Sequence, residues 1–96
     1  MGNIAFAWDP KKARANITKH GVSFPEAQTA FLDEHARLLD DPDHSEDEER
    51  FVLLGYSFEA RCLIVSHCYR QDDTMIRLIS ARRATPTEEA DYWRFR

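Results

Sequence analysis

The sequence predicts an α+β fold in which a small antiparallel sheet, with elements in the order β-α-α-β-β-β-β-α, packs against helices. Two observations predict it. Helix-start patterns, with a capping residue just before a proline, stand at Asp9-Pro10 near one end and at Thr85-Pro86 near the other. Between them, the apolar stretches 51–56, 61–70 and 74–83 are separated only by short turn segments. Connections this short favour antiparallel pairing of neighbouring strands.

Length and composition indicate one folded domain over residues 1–96. A chain of 96 residues with 43% hydrophobic and 31% charged residues is too apolar for disorder and has the usual size of a single domain. No apolar run reaches the roughly 18 residues of a membrane span, and the first residues lack a secretory signal pattern. Cys62 and Cys68 lie too far apart on one predicted strand to bond each other. We therefore expect free thiols and a cytoplasmic protein.

The first third of the chain predicts a strand and two helices. Ile4, Phe6 and Trp8 alternate with smaller residues, as in a short strand. A helix over 10–20 follows, and Gly21 supplies the left-handed residue that ends it. The capping-box spacing over 23–26 starts a second short helix that ends near residue 33.

The rest of the chain predicts four strands and a final helix. Arg37–Asp40 is a strand candidate, and the loop 41–49 is acidic: seven of the ten residues 40–49 are carboxylates. We interpret this run as a solvated loop, with a docking surface for a basic partner as the alternative. The strands 51–56, 61–70 and 74–83 follow, and a helix starts at the capping box 85–88.

Charge is divided unevenly along the chain. The net charge is −4, but residues 61–96 hold seven arginines against five acids. The acidic balance argues against a general nucleic-acid coat, whereas the arginine-rich part leaves room for a local anion site. Arg82-Arg83 is a candidate for such an anion site, because it stands just before the start of a helix, where backbone amides and guanidinium groups converge. The alternative is that these two arginines only solvate the end of a strand.

The last hairpin predicts a pair of residues suited to RNA cleavage. A three-residue loop at 71–73 sets His67 opposite Arg77 and places both on one face of the sheet. An imidazole beside a guanidinium is what cleavage of RNA through its 2′-hydroxyl requires, without a metal. The alternative is a structural pair that hydrogen-bonds at the end of the sheet. No zinc spacing, catalytic serine elbow or phosphate-binding glycine loop is present, so we expect no metal and no cofactor.

Several spaced motifs resemble the BrnT-type toxins of bacterial type II toxin–antitoxin pairs. The motifs that carry the resemblance are Trp8-Asp9-Pro10, Lys12-Ala13, Asn16, Lys19-His20-Gly21-Val22-Ser23-Phe24, His44-Ser45, Glu49-Arg50-Phe51, Gly55, Ile79-Ser80-Ala81-Arg82-Arg83-Ala84-Thr85, Glu88 and Tyr92. The resemblance implies a RelE-like ribonuclease fold, growth inhibition by cleavage of mRNA, and a BrnA-type antitoxin that neutralises the toxin. It also implies that promoter DNA is bound only through the toxin–antitoxin complex.

The resemblance and the strand geometry together define a candidate site. We expect His67, Arg77 and Arg82 to be catalytic, with His67 as general acid or base and Arg77 on the developing negative charge. The expected RNA-binding residues are Lys19, His20, Arg50, Arg70 and Arg83. Arg82 has the opposite strand parity to Arg77, so it joins the site only if the strand twists or bulges.

Two other functions remain open from the sequence. One is a catalytically silent partner that acts with an antitoxin in promoter-DNA binding and autorepression. The other is a plain RNA-binding module, which is disfavoured because no strand carries a clustered aromatic pair to stack bases. For Lys19 and His20, in the last turn of the first helix, capping of the helix end is the structural alternative to RNA contact.

Overall fold

The computed structural model describes residues 4–41 and 49–94, and these contain the predicted elements in the predicted order. The elements are β1 (Ala5–Ala7), α1 (Pro10–His20), α2 (Phe24–Thr29) with a following 3₁₀ turn (Ala30–Leu32), β2 (Arg37–Asp40), β3 (Phe51–Tyr56), β4 (Cys62–Arg70), β5 (Met75–Arg83) and α3 (Pro86–Arg94). The predicted acidic loop falls largely on 42–48, outside the described residues. Among the described helices, none has the length and apolar character to cross a membrane.

The predicted helix caps are confirmed. The Asp9 side chain accepts the Lys11 N–H at the start of α1, and Gly21 ends this helix with a φ of 70°. The Ser23 hydroxyl accepts the Glu26 N–H at the start of α2, over 3.1 Å. Thr85 and Glu88 form a reciprocal capping box before α3, in which each side chain accepts the other residue's N–H.

The sheet has five strands in the order β1-β5-β4-β3-β2, and it is mixed rather than purely antiparallel. Strands β2 to β5 form the expected antiparallel meander. Strand β1 pairs in parallel with the first half of β5, through Ala5–Met75 to Ala7–Arg77. A parallel neighbour was not expected, because the sequence leaves open which strand closes the sheet.

The β4–β5 turn is longer than the sequence predicts. Arg70 pairs with Met75, so the connection contains four residues instead of three. Gln71, Asp72 and Asp73 all adopt left-handed backbone, with φ between 55° and 68°. Asp tolerates this conformation better than most residues do. The longer turn moves the adjoining part of the hairpin, from Arg70 back to His67, out of the predicted register by one residue.

A β-bulge then shifts the register again in the middle of β5. Ser66 pairs with Ser80, but the next residue of β4, His67, pairs with Leu78. Ile79 is therefore the extra residue, and the faces of β5 exchange at this point. The predicted pairing of His67 with Arg77 is wrong, because His67 opposes Leu78 and Arg77 opposes Cys68.

The two faces of the sheet carry separate apolar clusters. On one face, called the α1/α2 face, the core contains Val22, from the connection between α1 and α2, and Phe24, the first residue of α2. They pack with Leu63, Val65, Leu78 and Ala81 of the sheet. On the other, the α3 face, Leu54, Cys62 and Ile64 pack with Tyr92 of α3. Both cysteines are buried free thiols, as the sequence predicts.

Asn16 of α1 completes the edge of the sheet beyond β1. Its side-chain amide donates to Ala81 O over 2.8 Å, and its carbonyl accepts the Ala81 N–H over 3.0 Å. This pair of bonds is what a neighbouring strand would provide. The same amide also donates to Val22 O, over 2.8 Å. A buried helical side chain therefore satisfies the strand edge and fixes α1 against β5.

Replacement of Asn16 by Ala should destabilise the fold strongly. The change leaves the buried N–H and C=O groups of Ala81 without partners, and we expect the free energy of unfolding to fall by about 2–4 kcal/mol. Urea denaturation measures it. Thr18→Ala, an exposed change in the same helix, is the matched control. A loss for Asn16→Ala no larger than for Thr18→Ala would contradict the role of Asn16.

Candidate functional site

His67 lies in the interior of the protein, away from any surface that a nucleotide can reach. Its exposed fraction is 0%. The ring packs edge-on against Phe31 and Tyr69, with centroid distances of 4.9 and 5.3 Å, and Phe51 lies beside it. The expected contact between His67 and substrate is therefore not available in this structure.

The imidazole of His67 is held in its neutral form. Its Nδ1 lies 3.0 Å from Val65 O, and its Nε2 is buried with no hydrogen-bond partner among the residues that the structure describes. Desolvation by burial lowers the pKa of His67, and the bond to Val65 O opposes this only in part. A neutral imidazole is thus a component of the core.

Arg77 and Arg82 lie on the α3 face, opposite to His67. Arg77 pairs with Cys68 and Arg82 with Ile64, and these two β4 residues point to the same face because they are an even number of positions apart. Ser80 joins them through its pairing with Ser66. The bulge thus removes the parity conflict that the sequence posed, and it aligns the two arginines on one face.

Arg82 is engaged with α3. Its two terminal nitrogens donate to the two carboxylate oxygens of Glu88, each over 2.8 Å. This bidentate pair lowers the pKa of Glu88 to about 2 and raises the pKa of Arg82. Both side chains remain partly exposed, so Arg82 faces solvent with much of its charge balanced by Glu88. Arg77, in contrast, has no ion pair with any described residue.

A basic groove lies between α1 and the bulge of β5. It has a volume of about 190 Å³. The residues that line it are Lys12, Ala15, Asn16, Lys19 and His20 from α1, with Ile79 and Ser80 from β5. Lys12, Lys19 and His20 share one side of α1 because their spacings of seven and eight residues correspond to two helical turns. The groove combines an accessible imidazole, two ammonium groups and a hydroxyl.

The position of the groove follows from how α1 is held. Asn16 fixes the middle of the helix to Ala81, directly beside the bulge. The end of the helix is held by Arg61, which donates to Gly21 O over 3.1 Å and forms an ion pair with Glu26 of α2. The side chains of the last turn, including His20, are therefore presented next to Ser80.

The other expected RNA-binding residues are distributed around the sheet. Arg83 is exposed at the end of β5 and pairs with Leu63. Arg70 is exposed at the hairpin end, where it lines a cavity of about 500 Å³. Arg50 is half-buried just before β3, and its carbonyl accepts the Asp41 N–H. The structure therefore brings Lys19 and His20 together with Ser80, but it does not gather all the predicted residues into one site.

Sequence reasoning missed two residues of this groove as site residues, Lys12 and Asn16. The spacing of Lys12, Asn16, Lys19 and His20 along one helix side was the signal for both. An Asn in the middle of a helix is itself a signal, since its amide competes with helix hydrogen bonds unless it has a tertiary partner. Within residues 4–41 and 49–94, no group of three or more His, Cys, Asp or Glu side chains is placed to hold a metal ion.

Comparisons with known proteins place this geometry in context. A family model described as "Ribonuclease toxin, BrnT, of type II toxin-antitoxin system" matches residues 8–88. The crystal structure of the Brucella abortus ribonuclease toxin BrnT is similar to the chain, with a TM-score of 0.62 and 22% sequence identity, over 88% of this chain and 99% of that one. This structural similarity shows that the two chains share a fold. No curated protein sequence matches the chain.

The burial of His67 predicts a pH dependence of stability. Because its pKa in the folded chain is lower than the ordinary value of 6.5, the unfolded chain binds the proton more readily. The free energy of unfolding should therefore decrease as the pH falls through about 6.5. Urea unfolding of the wild type and His67→Phe, at about pH 7.5 and about pH 5.5, tests this.

We expect a smaller decrease in His67→Phe than in the wild type. His20→Gln, which changes a histidine outside the core, should retain the wild-type decrease. Equal pH dependence in wild type and His67→Phe would show that the buried imidazole is not its source.

Proposed function

The chain belongs to the BrnT family of ribonuclease toxins of type II toxin–antitoxin systems, and from this premise we propose that it is an endoribonuclease that cleaves mRNA. The cleavage inhibits translation and requires no metal. A BrnA-type antitoxin neutralises the chain, and the complex of the two proteins binds promoter DNA. The observation that carries the catalytic part is the basic groove, where His20 is accessible beside Lys12, Lys19 and Ser80.

The groove contains the groups that cleavage through the 2′-hydroxyl of RNA requires. In this reaction a base removes the proton of the 2′-hydroxyl, the oxygen attacks the adjacent phosphorus, and an acid protonates the departing 5′-oxygen. His20 is the acid–base group, because its imidazole lines the groove beside the two lysines. It takes the proton of the 2′-hydroxyl and returns it to the departing 5′-oxygen. Lys19 and Lys12 offset the negative charge that develops on the phosphate oxygens. His67, the residue that the sequence suggested for this role, supports the core instead.

The arginines of β5 extend the path of the RNA. Arg77 lies on the same face as Ser80, which lines the groove, so it is placed to hold a flanking phosphate. Arg82 contributes more weakly, because Glu88 already balances much of its charge. Arg83 pairs with Leu63 and therefore points to the α1/α2 face, so its phosphate contact stays a prediction from the sequence. The RNA contacts of Arg50 and Arg70 stay predictions from the sequence.

Replacement of His20 tests the catalytic assignment. We expect His20→Ala to reduce RNA cleavage by about 10²–10⁴-fold, the usual contribution of a general acid–base group, with RNA affinity changed by only a few fold. Lys19→Ala should instead weaken RNA binding and reduce its salt dependence, since one phosphate contact is lost. Cleavage of a labelled single-stranded RNA and its binding at several salt concentrations are the measurements.

His67→Phe is the matched control for this experiment, since it changes the buried histidine. It should retain cleavage wherever it remains folded by circular dichroism. Full activity in His20→Ala, or loss of activity in folded His67→Phe, would contradict the assignment. If the wild-type chain neither cleaves RNA nor arrests growth, the ribonuclease proposal itself fails and the silent-partner alternative gains support.

Metal independence has its own test. Because protein side chains supply both the proton transfer and the positive charge, we expect the rate of RNA cleavage to be unchanged by excess EDTA. The measurement compares initial rates with and without the chelator, after exhaustive dialysis. A rate that falls with EDTA and is restored by Mg²⁺ would overturn the metal-independent mechanism.

A further inference from the structure

The outer edge of β2 has no strand beside it among the described residues. Strand β2 is the last in the sheet order. The Asp41 N–H donates to Arg50 O, so the alternation of an antiparallel ladder directs the backbone groups of Leu39 toward β3. The N–H and C=O groups of Leu38 and Asp40 therefore point outward. These groups form a template to which another strand can pair.

A cavity lies on each face of the sheet next to this edge. Leu38 lines a cavity of about 500 Å³ on the α1/α2 face, with Phe51 and Tyr69. Leu39 lines a second cavity, of about 460 Å³, on the α3 face, together with Val52 and Leu54. The two leucines are large apolar residues with 51% and 41% of their surface exposed. Side chains of an added strand alternate between faces and would enter both cavities.

The charge around the edge selects a basic segment. Six carboxylates and three guanidinium groups line the two cavities. The carboxylates are Asp40, Asp41, Glu49, Asp73, Glu88 and Asp91. Two of these carboxylates already have a cationic partner, since Glu88 is paired with Arg82 and Asp91 with Arg94. The other four carboxylates still outnumber the other two arginines of the linings, Arg37 and Arg70. The linings therefore favour a partner with Lys or Arg between apolar residues, and they disfavour an RNA strand, whose phosphates would meet the carboxylates.

We propose that the antitoxin binds this edge by adding a strand to β2, through a segment in which apolar and basic residues alternate. Strand addition supplies affinity through main-chain bonds and specificity through the side chains that enter the flanking cavities. The proposal rests on the proposed function for the identity of the partner as an antitoxin. It places that partner at the opposite edge of the sheet from the basic groove between α1 and β5.

A proline at residue 40 tests the backbone bonds directly. Asp40→Pro removes the outward N–H but spares the bonds between β2 and β3, because proline is tolerated on a strand edge whose N–H faces solvent. Asp40→Ala is the matched control, since it loses the same carboxylate and keeps the N–H. The probe is the protein encoded by the reading frame adjacent to this chain's gene, with affinity measured by calorimetry.

We expect Asp40→Pro to bind that protein about tenfold more weakly than Asp40→Ala does, the effect of losing about one hydrogen bond with its buried partner group. Both variants should cleave RNA at the wild-type rate. Equal affinities of the two folded variants, or no binding of the adjacent-frame protein to the wild type, would overturn the proposal. If the wild-type chain binds the adjacent-frame protein but does not cleave RNA, only the ribonuclease function would be contradicted.

Amide hydrogen exchange gives a second readout that needs no variant. In the free chain, the amides of Leu38 and Asp40 should exchange rapidly, whereas that of Leu39 is protected by β3. In the complex, Leu38 and Asp40 should become protected. A complex in which these two amides still exchange rapidly would overturn the proposal. So would their protection in a dimer of the chain alone, which would make a second copy the occupant of the edge.

Discussion

The arrangement of this protein depends on how the edge of β5 is satisfied. Strand β1 pairs with only the first three residues of β5, and beyond it the edge would be left with buried backbone groups and no partner. At Ala81, the Asn16 side chain supplies the missing hydrogen bonds to the backbone N–H and C=O groups. The bulge at Ile79 lies between the part of β5 that pairs with β1 and the part that bonds to Asn16. The partner along this edge of β5 therefore changes from a strand to a helix at the point where the β4–β5 register shifts. The basic groove forms at this junction, because α1 must lie beside the strand for Asn16 to reach it.

The same bulge decides which polar residues meet. It exchanges the faces of β5, so that Arg77, Ser80 and Arg82 lie together on the α3 face while Leu78 and Ala81 lie on the other. His67 remains on the face that the helices cover, where its partners are aromatic rings and a backbone carbonyl. Two histidines of the chain thus lie in different surroundings: His67 is a buried neutral part of the core, and His20 is partly exposed beside lysines.

Local signals in the sequence account for the helix starts and ends and for most strand bounds. Asp9, Ser23 and Thr85 each cap the helix that their spacing predicts, because a cap needs only residues close in sequence. The hairpin register was not predictable in the same way. It depends on three consecutive left-handed residues at 71–73 and on a bulge beside which Asn16, distant in sequence, bonds to Ala81. An error of one residue exchanges the two faces of a strand, so the site inferred from the predicted pairing of His67 and Arg77 does not form.

We propose that RNA contacts His20 in the basic groove rather than His67. The most direct measurement is an NMR titration of the chain with a 2′-O-methyl RNA oligonucleotide, which binds but cannot be cleaved. We expect the ring signals of His20 and the amide signals of Lys19 and Ser80 to shift with increasing RNA, while the ring signals of His67 stay unchanged. Shifts centred on His67, with His20 unchanged, would contradict it.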